Sequence, residues 1–73
     1  MTEIKCTTIE KVGIIKEQAS GWTKELRVVS WNDAEPKYDI RDWAPDGEKS
    51  GKGITLTEDE ARALMELLEN HFR

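Results

Sequence analysis

An α+β fold, four antiparallel strands followed by one C-terminal helix (ββββα), is predicted by three observations. A capped amphipathic pattern is confined to the last segment, β-branched and aromatic residues dominate everything before it, and clusters of turn-forming residues recur at short intervals. In chain order, Val12-Gly-Ile-Ile-Lys16 is rich in β-branched residues and predicts a first strand over 11–18. Ala19-Ser-Gly-Trp22 reads as a turn, with Trp22 capping the hairpin end. Lys24 to Asn32 gives a long second strand over 24–32, and Asn32-Asp-Ala-Glu-Pro36 is a polar connection of hairpin length. The third strand spans 37–43, Pro45-Asp-Gly47 is a tight turn, and the fourth strand spans 51–56. Strands joined by such short turns pair antiparallel.

The helix is predicted over 58–71. Thr57 with Glu60 matches a capping box, and Glu58, Asp59 and Glu60 suit the positive end of the helix dipole. Ala61, Leu64, Met65, Leu68 and Phe72 form an apolar stripe at helical spacing, widened sideways by Leu67 and His71. A stripe that wide predicts two buried faces, one against the sheet and one against a second helix, with Leu64, Leu67, Leu68 and His71 at a dimer interface.

The 73 residues make one domain over 1–73, and so short a chain buries only about 60% of its unfolded surface. A lone Cys6 excludes an internal disulfide, and with one histidine there is no zinc-type cluster, so self-association is the expected support. Cys6 itself reads as an incidental thiol in an N-terminal segment outside the sheet. That segment carries Glu3, Lys5, Glu10 and Lys11, which breaks the apolar run a signal peptide or membrane span needs; an intracellular, soluble protein is expected. Net charge is −4, yet residues 1–56 hold nine basic and ten acidic side chains while residues 57–73 hold two and five. Most of the excess acid lies in the helix, which leaves the sheet free to present a locally basic face.

Alternation divides the sheet. Leu26, Val28, Tyr38 and Ile40 form an aliphatic side fit for the helix; Arg27, Val29, Trp31, Lys37, Asp39, Arg41 and Trp43 form the other. Cations beside aromatic rings are what single-stranded nucleic acid requires, phosphates meeting the former and bases stacking on the latter. The glycines of Lys49-Ser-Gly-Lys-Gly53 would let a phosphate approach the main chain, with Lys49 and Lys52 adding charge. The plainer readings stand beside this one. Trp31 and Trp43 also suit a core or a dimer interface, Arg41 suits an ion pair with Asp39 or Asp42, and a Trp/Arg face also suits a protein partner. Asp39, Asp42 and Asp46 lack the ligand order of a calcium loop, and no nucleophile–base pair points to an enzyme.

Asp39-Ile-Arg-Asp-Trp43, Asp46-Gly-Glu48 and Lys52-Gly-Ile-Thr-Leu56 before a capped helix resemble the positive cofactor four family of transcriptional coactivators, in particular its short bacterial YdbC-like members. The resemblance is densest over 37–68 and looser over 12–36. It implies a homodimer whose curved sheets grip single-stranded DNA; the residues themselves leave RNA open as an alternative ligand. It also implies a role in transcription regulation or DNA maintenance and a nucleoid-associated place in the bacterial cytoplasm, with the transcription machinery left as an open candidate partner. No cofactor, metal, membrane or catalytic step is expected. Carried over by position, Arg41 and Lys52 are DNA contacts, Lys24 is a basic position at the start of the second strand, and Trp31 is a base-stacking ring. Trp43 falls on one of two adjacent aromatics, and Lys49 on a loop lysine. With Arg27 and Lys37 these complete the expected nucleic-acid surface. The Ser-rich regulatory region of eukaryotic members is not seen, and Gly51 stands where an arginine is expected. Binding is accordingly expected to rest more on stacking, and to be weaker or more salt-sensitive, than in those members.

Overall fold

The structure, a computed structural model, describes residues 5–73. Glu3, counted above among the N-terminal charges, lies outside the described residues. The elements are β1 (Cys6–Glu17), β2 (Thr23–Trp31), β3 (Lys37–Trp43), β4 (Ser50–Leu56) and α1 (Glu58–His71). They form one antiparallel sheet in the order β1-β2-β3-β4, followed by the helix. The fold is the predicted ββββα.

β1 departs from its expected bounds. It begins at Cys6, pairing with Trp31, instead of near residue 11. Two bonds clasp its start to the end of β2: the Lys5 N–H donates to Asn32 Oδ1 at 2.7 Å, and the Asn32 N–H donates to the Lys5 carbonyl at 2.6 Å. Register shifts between Thr8 and Glu10, Lys11 and Gly13, and Ile14 and Lys16 break the two-residue period of the strand. Cys6 is therefore a strand residue, not part of a segment outside the sheet.

The connections follow local chemistry. Gly21, at φ 92°, closes the first turn with its N–H on the Gln18 carbonyl at 3.0 Å. Asn32 and Asp33 take φ of 51° and 62°, a left-handed pair that few other side chains tolerate, and the Ala34 N–H donates to the Trp31 carbonyl at 2.9 Å. In the β3–β4 loop, Asp46 Oδ1 accepts from the Glu48 and Lys49 N–H groups, and these bonds hold its carboxyl below the usual range. The N-terminus of α1 carries the predicted capping box, Thr57 and Glu60 each accepting from the other's main chain.

The helix lies over the aliphatic side of the sheet, as expected, but it does not close onto it. Among the described residues no side chain of α1 is buried; Ala61 and Leu64 are half-buried, while Leu67 is 69% and Phe72 79% exposed. Between helix and sheet lies an open cleft of about 560 Å³, lined on the sheet side by Ile15, Leu26 and Ile40 and on the helix side by Leu64, Met65 and Leu68. Of the buried residues, Glu25, Arg27, Val29, Asp39 and Trp43 lie on the opposite face, while Ser30 falls on the helix side by alternation; among the described residues the buried hydrophobic ones are Val29, Trp43 and Ala44.

Candidate nucleic-acid interface

Side-chain alternation puts Glu25, Arg27, Val29 and Trp31 of β2 on one face with Lys37, Asp39, Arg41 and Trp43 of β3. The register then sets Glu25 opposite Arg41 and Arg27 opposite Asp39. Each charge thus has an opposite charge across the strand gap and another two residues along its own strand. The four form a neutral checkerboard.

The contacts run mainly along the strands. Arg27 Nε donates to Glu25 Oε1 at 2.8 Å, Arg27 Nη1 donates to the Thr8 hydroxyl at 3.0 Å, and the Thr23 hydroxyl donates to the second oxygen of Glu25. Arg27 Nη2 also sits 2.8 Å from Glu25 Oε1, close enough for ion pairing but without the alignment of a hydrogen bond. Burial would raise the Glu25 carboxyl, but the bonds from Thr23 and Arg27 outweigh it and hold the group below its ordinary value. On β3, Arg41 grips Asp39 with two bonds, Nε to Oδ1 and Nη2 to Oδ2 at 2.8 Å, and the Thr55 hydroxyl donates to the same Oδ2 at 2.8 Å.

Each guanidinium also lies over an indole. Arg27 Cζ is 3.6 Å from the Trp43 ring centroid, and Arg41 Cζ is 4.9 Å from that of Trp31, both within cation–π range. The two stacks differ in access. Arg27 is 2% and Trp43 4% exposed, so that pair is closed, and Trp43 Nε1 finds no partner among the described residues. Trp31 remains half-exposed above Arg41. Asp39, fully buried, underpins the open stack.

Of the residues singled out by sequence, Arg27, Trp31, Lys37, Arg41 and Trp43 share this face. Lys37, opposite Val29, is exposed at its margin. Lys24 is exposed but falls on the other side of β2 by alternation, where it pairs with Lys16 and Asp42. Lys49 and Lys52 are exposed at the β3–β4 end. Gly53 has a reason other than phosphate approach: a Cβ there would lie 2.2 Å from Arg41 Cβ and 2.4 Å from the Ile40 carbonyl oxygen, so β4 can pass over Arg41 only as glycine. Trp22 packs at the hairpin end as expected, its ring within 4.0 Å of the Cβ position of Gly51.

Sequence reading passed over Glu25, Thr8, Thr23 and Thr55, which complete the polar network. The acid-x-Arg spacing repeated in Glu25-Leu-Arg27 and Asp39-Ile-Arg41 was the available signal. Cys6, opposite Trp31, joins the same face; burial pushes its thiol up, the Asp39 carboxylate adds to that, and Arg41 and Arg27 oppose it. Asp39, Asp42 and Asp46 are occupied by Arg41, Gln18 and loop N–H groups respectively. Among the described residues no three His, Cys, Asp or Glu side chains converge on a metal position, and no helix is long and apolar enough to cross a membrane.

A protein of Treponema pallidum (strain Nichols) bearing the name "Uncharacterized protein" is 48% identical over 58 residues, which cover 80% of this chain and 68% of that one. Residues 18–67, from the first turn to the third turn of α1, match the family described as Transcriptional Coactivator p15 (PC4). That span holds both arginine–indole stacks, the Gly53 crossing and the helix cap, and the chain belongs to this family.

Proposed function

We propose that the protein is a non-catalytic binder of single-stranded DNA, sequence-independent in its readout, acting as a homodimer in transcription or in the upkeep of melted DNA. The observation that carries the reading is the open stack: a half-exposed indole, Trp31, held on a guanidinium in a sheet face that belongs to a coactivator family. Bases stack on such rings with about 1–3 kcal/mol each, whatever their sequence. Phosphates are met by the exposed Lys37, Lys49 and Lys52 around that face, with Lys24 serving the far side of β2. Trp43, closed under Arg27, is scaffold in this reading. The homodimer is supported by the open apolar cleft and the exposed Leu67, Leu68 and Phe72, which a second copy would cover.

Tryptophan fluorescence titrated with oligo(dT) tests the reading. Quenching at low salt is expected, with affinity falling as salt rises and falling about ten- to a hundredfold in Trp31→Ala. Absence of quenching at low salt rejects it.

A further inference from the structure

The charges at the centre of the binding face, Glu25, Arg27, Asp39 and Arg41, sum to zero, so its net positive charge comes from the margin. On the β3 side that margin holds Lys37. The β1 side holds a cation of its own. Cys6 pairs with Trp31 and Thr8 with Val29, so both belong to this face, and Arg27 Nη1 donates to the Thr8 hydroxyl. Unbroken alternation from Thr8 would next bring Glu10 to the face and send Lys11 to the helix side. The register shift between Thr8 and Glu10 reverses this: Glu10 pairs with Val28, on the aliphatic side, and Lys11 pairs with Arg27, on the face. One extra residue thus exchanges an acid for a base at the edge of the binding surface.

Lys11 is exposed, and among the described residues its ammonium enters no ion pair. Glu25 does not claim it, because Oε1 accepts from Arg27 Nε and Oε2 from the Thr23 hydroxyl. Of the influences on the Glu25 carboxyl, burial, the largest, raises it, the contacts of Thr23 and Arg27 lower it, and the Lys11 charge lowers it least. The ammonium therefore stands near that carboxylate without pairing with it. Lys11 and Lys37 flank β2 on the same face, opposite Arg27 and Val29, and the strand between them carries Trp31. Nucleic acid with a base on that indole meets a cation on each side.

We propose that Lys11 is a phosphate contact of the binding face, holding single-stranded DNA from the β1 side as Lys37 does from the β3 side, and that the bulge at Ile9 is what places it there. This role rests on the single-stranded DNA reading above and deepens it, since it adds to the face a strand and a cation that the regular part of the sheet does not supply.

The test is the slope of log affinity against log salt for oligo(dT), measured for the wild-type protein, Lys11→Gln, Glu10→Gln and the charge-exchanged double variant Glu10→Lys with Lys11→Glu. Lys11→Gln is expected to lower the slope by about 0.7, and with it the affinity about fivefold in about 0.1 M salt. Glu10→Gln, which removes a charge from the other side of the same strand, is expected to keep the wild-type slope. The exchanged variant keeps the net charge of −4 yet is expected to bind more weakly than Lys11→Gln, because an acid stands where the base stood. A wild-type slope in Lys11→Gln, or wild-type affinity in the exchanged variant, overturns the role of Lys11 while leaving DNA binding intact. No binding by the wild-type protein overturns the reading beneath it as well. Should a variant fail to fold, lysine acetylation of the wild-type protein, read by mass spectrometry, decides: bound oligo(dT) is expected to protect Lys11, and equal modification with and without the oligonucleotide refutes the contact.

Discussion

On one face of the sheet Glu25, Arg27 and Asp39 are buried and Arg41 nearly so, every charge matched within the chain; on the other, Ile15, Leu26, Ile40 and the leucines of α1 line a cleft that stays open. Burial in this molecule thus follows pairing more closely than polarity. A guanidinium between a carboxylate and an indole has exchanged its water for equivalent partners, whereas an aliphatic side chain gains only when something covers it. The first face is complete in a single chain. The second stays open in a single chain, and since the buried hydrophobic residues among those described are Val29, Trp43 and Ala44, the cover that the proposed dimer would supply amounts to much of a core. Burying each of Leu64, Leu67, Leu68 and Phe72 would contribute on the order of 1.5–3 kcal/mol, which is the scale of stabilisation a small domain lacks.

The largest way to break the contrast is Asp39→Ala, which strands Arg41 and the Thr55 hydroxyl at a fully buried position. A loss of about 3–5 kcal/mol in urea unfolding is expected; a loss under about 1 kcal/mol would mean that the checkerboard does not hold the face together. Next comes Leu67→Asp. At 69% exposure this change is nearly neutral for an isolated chain, within about 0.5 kcal/mol, but in the proposed dimer it places a charge in an apolar seam. Expected outcomes are a monomeric mass in sedimentation, melting that no longer depends on protein concentration, and a loss of about 2–3 kcal/mol. A variant as associated and as stable as the parent rules this seam out.

The smallest effect concerns acid. Because Thr23 and Arg27 hold the folded Glu25 carboxyl below its ordinary value of 4.5, the stabilisation it brings is present above that value and is lost as pH falls through the lower folded one. Stability profiles of the parent and Glu25→Gln should therefore converge only in the acid limb. Parallel profiles down to the lowest pH at which both stay folded would detach Glu25 from the network.

How much of this the sequence disclosed depended on how local the determining forces were. The helix was legible to the residue because Thr57 and Glu60 satisfy each other's main chain within a single turn. The faces of β2 and β3 were legible because neither strand loses its period between Thr23 and Trp43. β1 was not, since each register shift reverses the sense of alternation and its outer half is fixed by Asn32, far away in sequence. The burial of Arg27 and Trp43 was hidden for a related reason. Alternation says which way a side chain points, but whether it is covered depends on which side chains of adjacent strands reach over it, and here those are the long ones of the same face.

The irregular β1 has a bearing on the fate of the protein at high concentration. It is a 12-residue edge strand with Ile9, Val12, Ile14 and Ile15 exposed, the kind of margin on which further strands stack into fibrils. Its three shifts interrupt the even row of main-chain donors and acceptors such growth copies, and Glu10, Lys11, Lys16 and Glu17 put charge on either side of the apolar residues. The same strand can then offer apolar side chains to a partner, Ile15 among them in the cleft, while giving an aggregating chain no straight template to extend.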